Sequence, residues 1–511
     1  MILALGLSIM FSLFIGILAA RNKRAESLII PLLDVFQSIP ILAFFPLVIG
    51  AVTAAISGQA GISLAVVFLI FTSMSWNIAF GVYEAVKSIP KDYIDLAEMS
   101  GSSSLQKIKS LYIPASLSRI AYNTQTSWAV GLFYLISSEI FSTGAVNKQV
   151  SHGIGVDIVT FYVNGDFNGY VYSILLLLVA VAIWQVVFLR EFSLFSERYK
   201  FLEEPRGAHQ DPLLRFYGWV NDKSISKLFL LSHVGGVNRV SSVLFRFRKG
   251  ILYAAIIAFG IFAAFEFSTF VPGLASGIEH LSSAAILSAE GTVLVSLGYS
   301  FVRIWSVYFL AVAVGLPIGI GVALRTRLYE AMVPLLEVVA SIPAPALLPF
   351  IAAAAMEQGE IVAAFIIFVG MIWYIIFNVM AGIRTLPAEI FELKKVFQLS
   401  SWQAWRQIYI PASTSAFVTG SITAIGAAWN TLIVAEIFQV VTKNGVHTLT
   451  KVGNGIGLLL VQVNNANPYT ATDAATFILA LVSMTVLIIG FNLLVWRRVY
   501  HRVTKRYAYN R

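Results

Sequence analysis

The sequence carries little charge. Only 12% of its 511 residues are Asp, Glu, Lys or Arg, whereas 58% are hydrophobic, and the mean hydropathy is +0.81. A soluble globular protein has roughly 25% charged residues. So few charged side chains cannot cover a core of this size against water. The composition therefore excludes a soluble protein and predicts that most of the chain is dissolved in lipid.

The sequence also has no cysteine, which excludes disulfide bonds, thiol catalysis and thiolate metal sites. It contains no hydrolase constellation, no His/acid metal cluster and no Gly-x-x-x-x-Gly-Lys-Ser/Thr phosphate loop. We therefore predict that the chain has no catalytic residue, metal or cofactor of its own. Without such a phosphate loop the chain cannot bind ATP in the usual way.

Long apolar runs are what the sequence has in abundance. A helix needs about 20 mostly apolar residues to cross the bilayer core. The first run is not a signal peptide, because Arg21, Lys23 and Arg24 follow it instead of preceding it. The runs predict an all-α, polytopic protein of the plasma membrane with about eleven spans. The predicted spans are 2–20, 28–56, 61–86, 115–141, 169–189, 251–271, 297–323, 331–356, 361–383, 412–440 and 474–496.

The basic residues orient these spans, since short cytoplasmic loops are rich in Lys and Arg. If the first span runs inward, 30 of the 35 Lys and Arg residues lie on the cytoplasmic side. Three lie outside, namely Lys148, Lys443 and Lys451, while Arg119 and Arg303 fall inside or beside spans. The basic charge is therefore a topology signal. It does not indicate nucleic-acid binding, which needs a basic patch on a soluble surface.

The chain contains an internal duplication. Residues 31–46 (PLLDVFQSIPILAFFP) and 334–349 (PLLEVVASIPAPALLP) are identical at nine of sixteen positions, an offset of 303. Further matches follow in the same order: Tyr-Ile-Pro-Ala-Ser at 112 and 409, Glu-Ile-Phe at 139 and 436, and Gly-Ile-Gly at 153 and 455. Matching spans cross in the same direction, so the repeat is parallel. It predicts a pseudo-two-fold axis along the membrane normal, with a path between the halves.

The duplication divides the chain into a first transmembrane half (1–190), a cytoplasmic linker (191–250), a second transmembrane half (251–500) and a basic cytoplasmic tail (501–511). Within the linker, 213–232 is either an amphipathic helix on the membrane surface or a plain loop. The span 251–271 has no counterpart in the first half. Either that half has lost a helix or the true start lies upstream of Met1.

The cytoplasmic loop after the third span has a bend between two helical segments. Gly101 is followed by three serines, a poor helix interior and a good place for a turn. Pro114 suits the first turn of the next span. The spacing resembles the loop of binding-protein-dependent ABC permeases: Glu-Ala-Ala, three residues, Gly, nine residues, Ile-x-Leu-Pro. The matching residues are Asp95, Ala97, Gly101, Leu111 and Pro114.

The second copy of the loop, at 392–413, departs further from this pattern. Glu392, Ile408 and Pro411 fit it, but Gln398 stands at the position of the glycine. We expect Gln398 to remove the flexible bend, so that the two loops engage their partners unequally. The alternative for each loop is an ordinary amphipathic segment without a partner.

The resemblance covers both halves, about 1–190 and 295–500, and implies a function. In that family the loops fit clefts on two copies of a cytoplasmic ATP-binding-cassette ATPase, and an external binding protein delivers the solute. The Gly- and Asn-rich outer loops 142–168 and 441–473 are candidates to face that protein. The proline-rich blocks are similar to the nitrate, sulfonate and taurine branch, which implies a small anion as substrate. The alternatives are a secondary transporter with two fused repeats and a membrane scaffold or channel.

Prolines and polar residues within the spans are candidates for lining the path. Four prolines are expected to interrupt two equivalent helices, with a serine beside each pair; the alternative is prolines tolerated in packed helices. Glu139 and Glu436 suit a gate or packing role, because carboxylates repel an anion. Arg303 either attracts an anion or extends to the membrane surface. The path candidates are Ser38, Pro40, Pro46, Ser341, Pro343 and Pro349.

Overall fold

The computed structural model describes residues 1–38, 40–140, 152–184, 192, 196, 283–355, 358–384, 386, 396–442, 445–464, 466 and 470–507. Several predictions fall on residues outside these ranges. They include the linker apart from residues 192 and 196, with its segment 213–232, the predicted span 251–271, residues 142–151 of the first outer loop, Glu392, and the last four residues of the tail.

The described residues of the first half are helical. The helices are α1 (Ile2–Arg21), α2 (Lys23–Ser38), α3 (Ile41–Ala55), α4 (Gln59–Lys87), α5 (Lys91–Met99), α6 (Ser104–Lys107), α7 (Ile113–Ile140), α8 (Ile154–Val163) and α9 (Phe167–Trp184). A π turn at Ile108–Tyr112 joins α6 to α7.

The second half repeats this order. Its helices are α10 (Ser283–Ala323), α11 (Thr326–Ala340), α12 (Ala344–Ala354), α13 (Gly359–Arg384), α14 (Ser401–Ala404), α15 (Ile410–Glu436), α16 (Ile456–Asn464), α17 (Ala471–Phe491) and α18 (Arg497–Tyr507). π turns at Trp405–Tyr409 and Asn492–Trp496 precede α15 and α18. The strands β1 (Ile437–Thr442) and β2 (Gly445–Lys451) form an antiparallel hairpin between α15 and α16.

Within the described residues, seven helices are long and apolar enough to cross a membrane, or eight spans if the bent pair α11–α12 is counted. The predicted class, an all-α polytopic membrane protein, is therefore confirmed, with the β1–β2 hairpin as an addition. The prediction that 412–440 is one span is wrong at its outer end, because Ile437 is extended at φ −145° and pairs with Lys451.

The predicted single spans 28–56 and 331–356 are each two helices. In the second half, α11 and α12 meet at an angle of 77°. Each break falls at a proline, Pro40 before α3 and Pro343 before α12. A proline has no N–H to continue the helical ladder, and its ring clashes with the carbonyl four residues earlier. The helix therefore ends before each proline and a new one starts after it.

Each half is a bundle in which the fourth helix is central. Helix α4 packs between α1 and α7, and α13 packs between α10 and α15. Small residues allow the close approach, as is common between membrane helices. A Cβ on Gly16 of α1 would lie 2.8 Å from the side chain of Val82, and one on Gly319 of α10 would lie 3.0 Å from that of Val379. These contacts are equivalent at the offsets of 303 and 297.

The two bundles contact each other reciprocally. Helix α3 of the first half packs against α15 and α16 of the second, and α12 of the second half packs against α7 and α8 of the first. The elements that cross the interface are thus the ones that follow the proline breaks. This exchange is the arrangement expected for a parallel repeat about an axis along the membrane normal.

Candidate coupling loops and path between the halves

The first loop is a helix–bend–helix unit. Helix α5 ends at Met99, and Gly101 adopts the left-handed conformation at φ +67°. Ser103 then caps α6, because its Oγ accepts from the N–H of Gln106 (3.3 Å) while its own N–H donates to the Gln106 side chain (2.7 Å). This reciprocal capping box fixes the start of the second arm. The predicted bend at Gly101 is therefore present.

The second loop has the same bend without glycine. Gln398 is also in the left-handed region, at φ +49°. Ser400 forms the same capping box with Gln403, at 3.2 Å and 2.8 Å. The expectation that Gln398 removes the bend is wrong, since the capped helix after it holds the turn in place. A side chain in this conformation costs roughly 1–2 kcal/mol, which the neighbouring structure must offset.

The two copies also have the same geometry where each loop joins the next span. Pro114 and Pro411 are each the second residue of their long helix, and a π turn directly precedes both helices. A proline at this position cannot donate to the carbonyl four residues back, so the preceding turn widens. Pro114 therefore lies in the first turn of α7, as the sequence predicts, within a helical path that continues from α6 through the π turn.

One ion pair braces the first loop. Lys107 of α6 contacts Glu98 of α5 at 3.0 Å across the bend. The hydrogen bond and the charge of Lys107 hold the pKa of Glu98 below its usual value. At the base of the loop Leu111 and Tyr112 are buried, and the guanidinium of Arg21 lies 5.0 Å above the Tyr112 ring. The loop is thus anchored at its base to the bundle.

The tips of both loops expose large apolar side chains. Leu105 and its equivalent Trp402 are 74% and 72% exposed, and Met99 and its equivalent Val396 are 86% and 71% exposed. Exposed apolar clusters on a rigid support typically mark an interaction site.

The other predicted loop residues differ in burial. Asp95 is exposed and Ala97 is half-buried. Leu111 is buried, and its equivalent Ile408 is half-buried.

The proline and serine candidates divide into two groups. Pro40 and Pro343 mark the helix breaks, whereas Pro46 and Pro349 lie inside α3 and α12 without ending them. Ser38 is the last residue of α2. Ser341 is buried, and its hydroxyl donates to the carbonyl of Val338 at 2.6 Å. It thus provides a hydrogen-bond partner for a carbonyl in the last turn of α11.

Hydrogen bonds join the halves beside these breaks. The side-chain oxygen of Asn430 in α15 accepts from the N–H of Ile41, the first residue of α3, at 3.0 Å. The same oxygen accepts from the hydroxyl of Tyr134 in α7. On the other side, the Tyr170 hydroxyl donates to the carbonyl of Ala346 in α12 at 3.2 Å. Sequence reasoning missed these residues, although an asparagine within an apolar span was a usable signal.

Glu139 and Glu436 pack against short outer helices. The N–H of Gly155 donates to Glu139 at 2.7 Å, and the N–H of Gly457 donates to Glu436 at 2.6 Å. Each carboxylate thus binds the positive N-terminus of α8 or α16. The repeated Gly-Ile-Gly is explained by close packing. A Cβ at Gly153, Gly155 or Gly455 would collide with the carboxylate, and one at Gly457 would lie 2.8 Å from the Cα of Ile433.

Arg303 is paired inside the second bundle. Its guanidinium contacts Glu436 and Glu360, the latter at 2.9 Å, and donates to the carbonyl of Asn454 at 2.9 Å. Ser300 adds a bond to Glu436 at 2.5 Å. The arginine is buried, whereas its partner Glu360, the second residue of α13, is 59% exposed. At the offset of 303, its counterpart in the first half falls before Met1.

The fold and these features define a class: a multi-pass membrane transport protein made of two related helical bundles. The chain belongs to the family described as binding-protein-dependent transport system inner membrane component, which matches residues 12–194 and again residues 315–497. The predicted ABC permease, its duplication and its membrane location are therefore confirmed.

Individual relatives are similar to parts of the chain. The nitrate import permease protein NrtB of Leptolyngbya laminosa is 28% identical over 185 residues, 36% of this chain and 62% of that protein. NrtB of Synechocystis is 33% identical over 138 residues, 27% of this chain and 50% of that protein. The bicarbonate transport system permease protein CmpB of Synechocystis is 34% identical over 144 residues, 28% of this chain and 50% of that protein. The chain thus matches between 50% and 62% of the length of these relatives.

Proposed function

We propose that the chain is the membrane-spanning part of an ATP-driven importer, in which two copies of a separate cytoplasmic ATPase act on the two loops. The observation that carries this proposal is the shared loop geometry. Gly101 and Gln398 hold the same left-handed bend, each followed by a capping box and a helix that runs into a span. Backbone geometry retained in both halves despite different residues indicates that the shape itself is used.

The loops suit the transmission of force. Each is a short, capped arm continuous with a long helix, α7 or α15, so a push at the tip moves the span without first bending a flexible linker. Both helices lie at the interface between the halves, where α7 contacts α12 and α15 contacts α3. Movement of the loops therefore changes the interface that the solute has to pass.

The proposed substrate is a small oxyanion delivered by an external binding protein. Two kinds of relatives are named for nitrate import and for bicarbonate transport, and both solutes are planar monovalent anions. Glu139, Glu436 and Arg303 are each bound to another group of the protein. We therefore do not assign any of them as the charge that binds the solute. The outer helices α8 and α16 and the β1–β2 hairpin form the surface that the binding protein approaches.

The test is ATP-dependent uptake in vesicles that contain the chain, its ATPase and its binding protein. Gly101→Val should abolish uptake while the complex stays intact, because a β-branched residue does not tolerate the left-handed conformation. Gly165→Val is the matched control, since Gly165 also has positive φ (+73°) and open space but lies between α8 and α9. Equal uptake by both variants, or uptake of the solute without an ATPase, would overturn the proposal. Stimulation of ATP hydrolysis by nitrate or bicarbonate identifies the solute.

A further inference from the structure

Asn430 joins the two halves at the start of a broken helix. Its Oδ1 accepts from the Ile41 N–H at 3.0 Å and from the Tyr134 hydroxyl, while its Nδ2 donates to the carbonyl of Gly426 at 3.1 Å. The orientation of the amide is determined by chemistry, because a backbone N–H can only donate and must face the oxygen. Asn430 belongs to the second half, and both of its donors belong to the first.

The contact lies in the outer part of the membrane. Asn430 precedes Glu436, the last residue of α15, by six positions, and Tyr134 precedes Glu139 by five. At 1.5 Å per residue, Asn430 lies about 9 Å below the buried carboxylate along the helix. The outer helices α8 and α16 start just above the two carboxylates. The Asn430 contact therefore lies directly beneath the outer entrance between the halves.

The first half has no equivalent of this acceptor. At the offset of 297 the counterpart of Asn430 is Phe133, whose side chain cannot accept a hydrogen bond. The opposite broken helix, α12, is instead contacted by the Tyr170 hydroxyl at Ala346. The duplication has therefore kept a cross-bundle contact at each break while changing the group that makes it.

We propose that Asn430 is a gate residue: its amide oxygen, shared between Ile41 and Tyr134, holds the outer entrance closed and must release them for the solute to pass. This inference rests on the proposed path between the halves. A net hydrogen bond shifts an equilibrium by a factor of about 2 to 13, so two of them shift it by roughly fivefold to 160-fold. Such a bias keeps the entrance shut at rest and is small enough for a partner to reverse.

The absence of cysteine in the sequence makes a direct test possible, because one introduced cysteine is the sole thiol. Ile41→Cys retains the backbone N–H and places a thiol beside the contact. Its rate of reaction with a membrane-impermeant maleimide, added from the outside, reports opening of the entrance. This readout needs no ATPase, so its failure is distinguishable from failure of the proposed import activity.

Asn430→Ala and Tyr134→Phe, each combined with Ile41→Cys, should raise the labelling rate, by about fivefold or more for Asn430→Ala. Asn430→Asp keeps the acceptor, and in its protonated form its O–H can replace the Nδ2 donor to the Gly426 carbonyl, so it should restore slow labelling. The matched controls lose hydrogen bonds made within the second half: Asn378→Ala, from the carbonyl of Tyr374, and Tyr308→Phe, from Ser421. They should leave the rate unchanged.

Equal labelling in all backgrounds, or an equal increase in the controls, would overturn the gate assignment. Size-exclusion elution of each detergent-solubilised variant establishes that it is folded. Tyr134→Phe removes a single oxygen atom, so it keeps the proposal testable if Asn430→Ala does not fold. Non-additive labelling rates in the double variant of Tyr134 and Asn430 would show that both act through the same contact.

Discussion

Asn123 and Asn378 lie on different helices of the two halves, yet their side-chain amides occupy the same position. The Nδ2 of Asn123, on α7, donates to the carbonyl of Asn77 at 3.0 Å. The Nδ2 of Asn378, on α13, donates to the carbonyl of Tyr374, the equivalent of Asn77, at 2.8 Å. The facing residues are Gly81 in the first half and Gly420 in the second, so the asparagine and glycine have exchanged helices.

This exchange predicts compensating mutations. Gly81→Asn alone should destabilise the chain by about 1–3 kcal/mol, because its Cβ would collide with the Nδ2 of Asn123 and lie 3.0 Å from its Cγ. Adding Asn123→Gly reproduces the arrangement of the second half and should recover most of this loss. Thermal unfolding of the detergent-solubilised single and double variants measures both effects. Strictly additive losses would contradict the exchange.

The loop bend predicts which substitutions are tolerated. Gln398→Gly should preserve transport, because glycine adopts positive φ without the cost of about 1–2 kcal/mol that a side chain has there. Gln398→Val should impair it as Gly101→Val does. Comparing ATP-dependent uptake of the three variants at matched membrane abundance checks this. Loss of uptake in Gln398→Gly would mean that the glutamine side chain, and not the bend, is required.

The buried ion pair predicts a large and partly reversible loss of stability. Arg303→Met leaves Glu436 buried without its cation and should cost about 3–5 kcal/mol. Adding Glu436→Gln removes the unpaired charge while an oxygen remains for the Gly457 N–H, so stability should rise again. Arg384→Met, at the predicted cytoplasmic end, is the control and should cost no more than about 1 kcal/mol. Melting temperatures test the order, and an Arg303→Met loss as small as the control's would refute it.

The brace across the first loop predicts a pH dependence. Lys107 lowers the pKa of Glu98 below 4.5, its value without the contact. The ionised form is thus favoured in the folded loop, and the contribution is complete above pH 4.5 and lost as the pH falls through the lowered pKa. The difference in melting temperature between the wild type and Glu98→Gln should therefore shrink towards pH 3. A difference that stays constant with pH would show that the pair does not stabilise the fold.

The sequence predicted the class, the duplication and the bent loops, because these can be recognised from apolar runs and from the spacing of particular residues. Apolar runs give spans, and Pro114 and Pro411 lie at fixed distances from the bends. It failed at Gln398, because residue type is only a weak guide to backbone conformation when a capped helix holds the turn. Hydropathy treated α2–α3 and α11–α12 as single spans, but the prolines predicted an interruption in each. The breaks fall at Pro40 and Pro343.

The contacts between bundles could not be predicted in the same way. Ile41 and Asn430 are 389 residues apart, and the bond uses a backbone N–H, which has no signature in the sequence. Arg303 and Glu436 were each identified as costly residues within the membrane, but their pairing depends on how α10 packs against α15. Only the assembled bundle brings these groups together.

The proline breaks have a consequence for how this protein can be assembled. The first N–H of α3 reaches an acceptor on the other bundle, and the first turn of α12 is reached by a tyrosine of the opposite one. Each half therefore supplies a hydrogen-bond partner for a backbone group of the other half. A half on its own would leave these polar backbone groups exposed to hydrocarbon. Because the two halves are fused, they are synthesised in equal amounts on one ribosome. Neither bundle therefore has to remain in the membrane with these hydrogen-bonding groups unpaired.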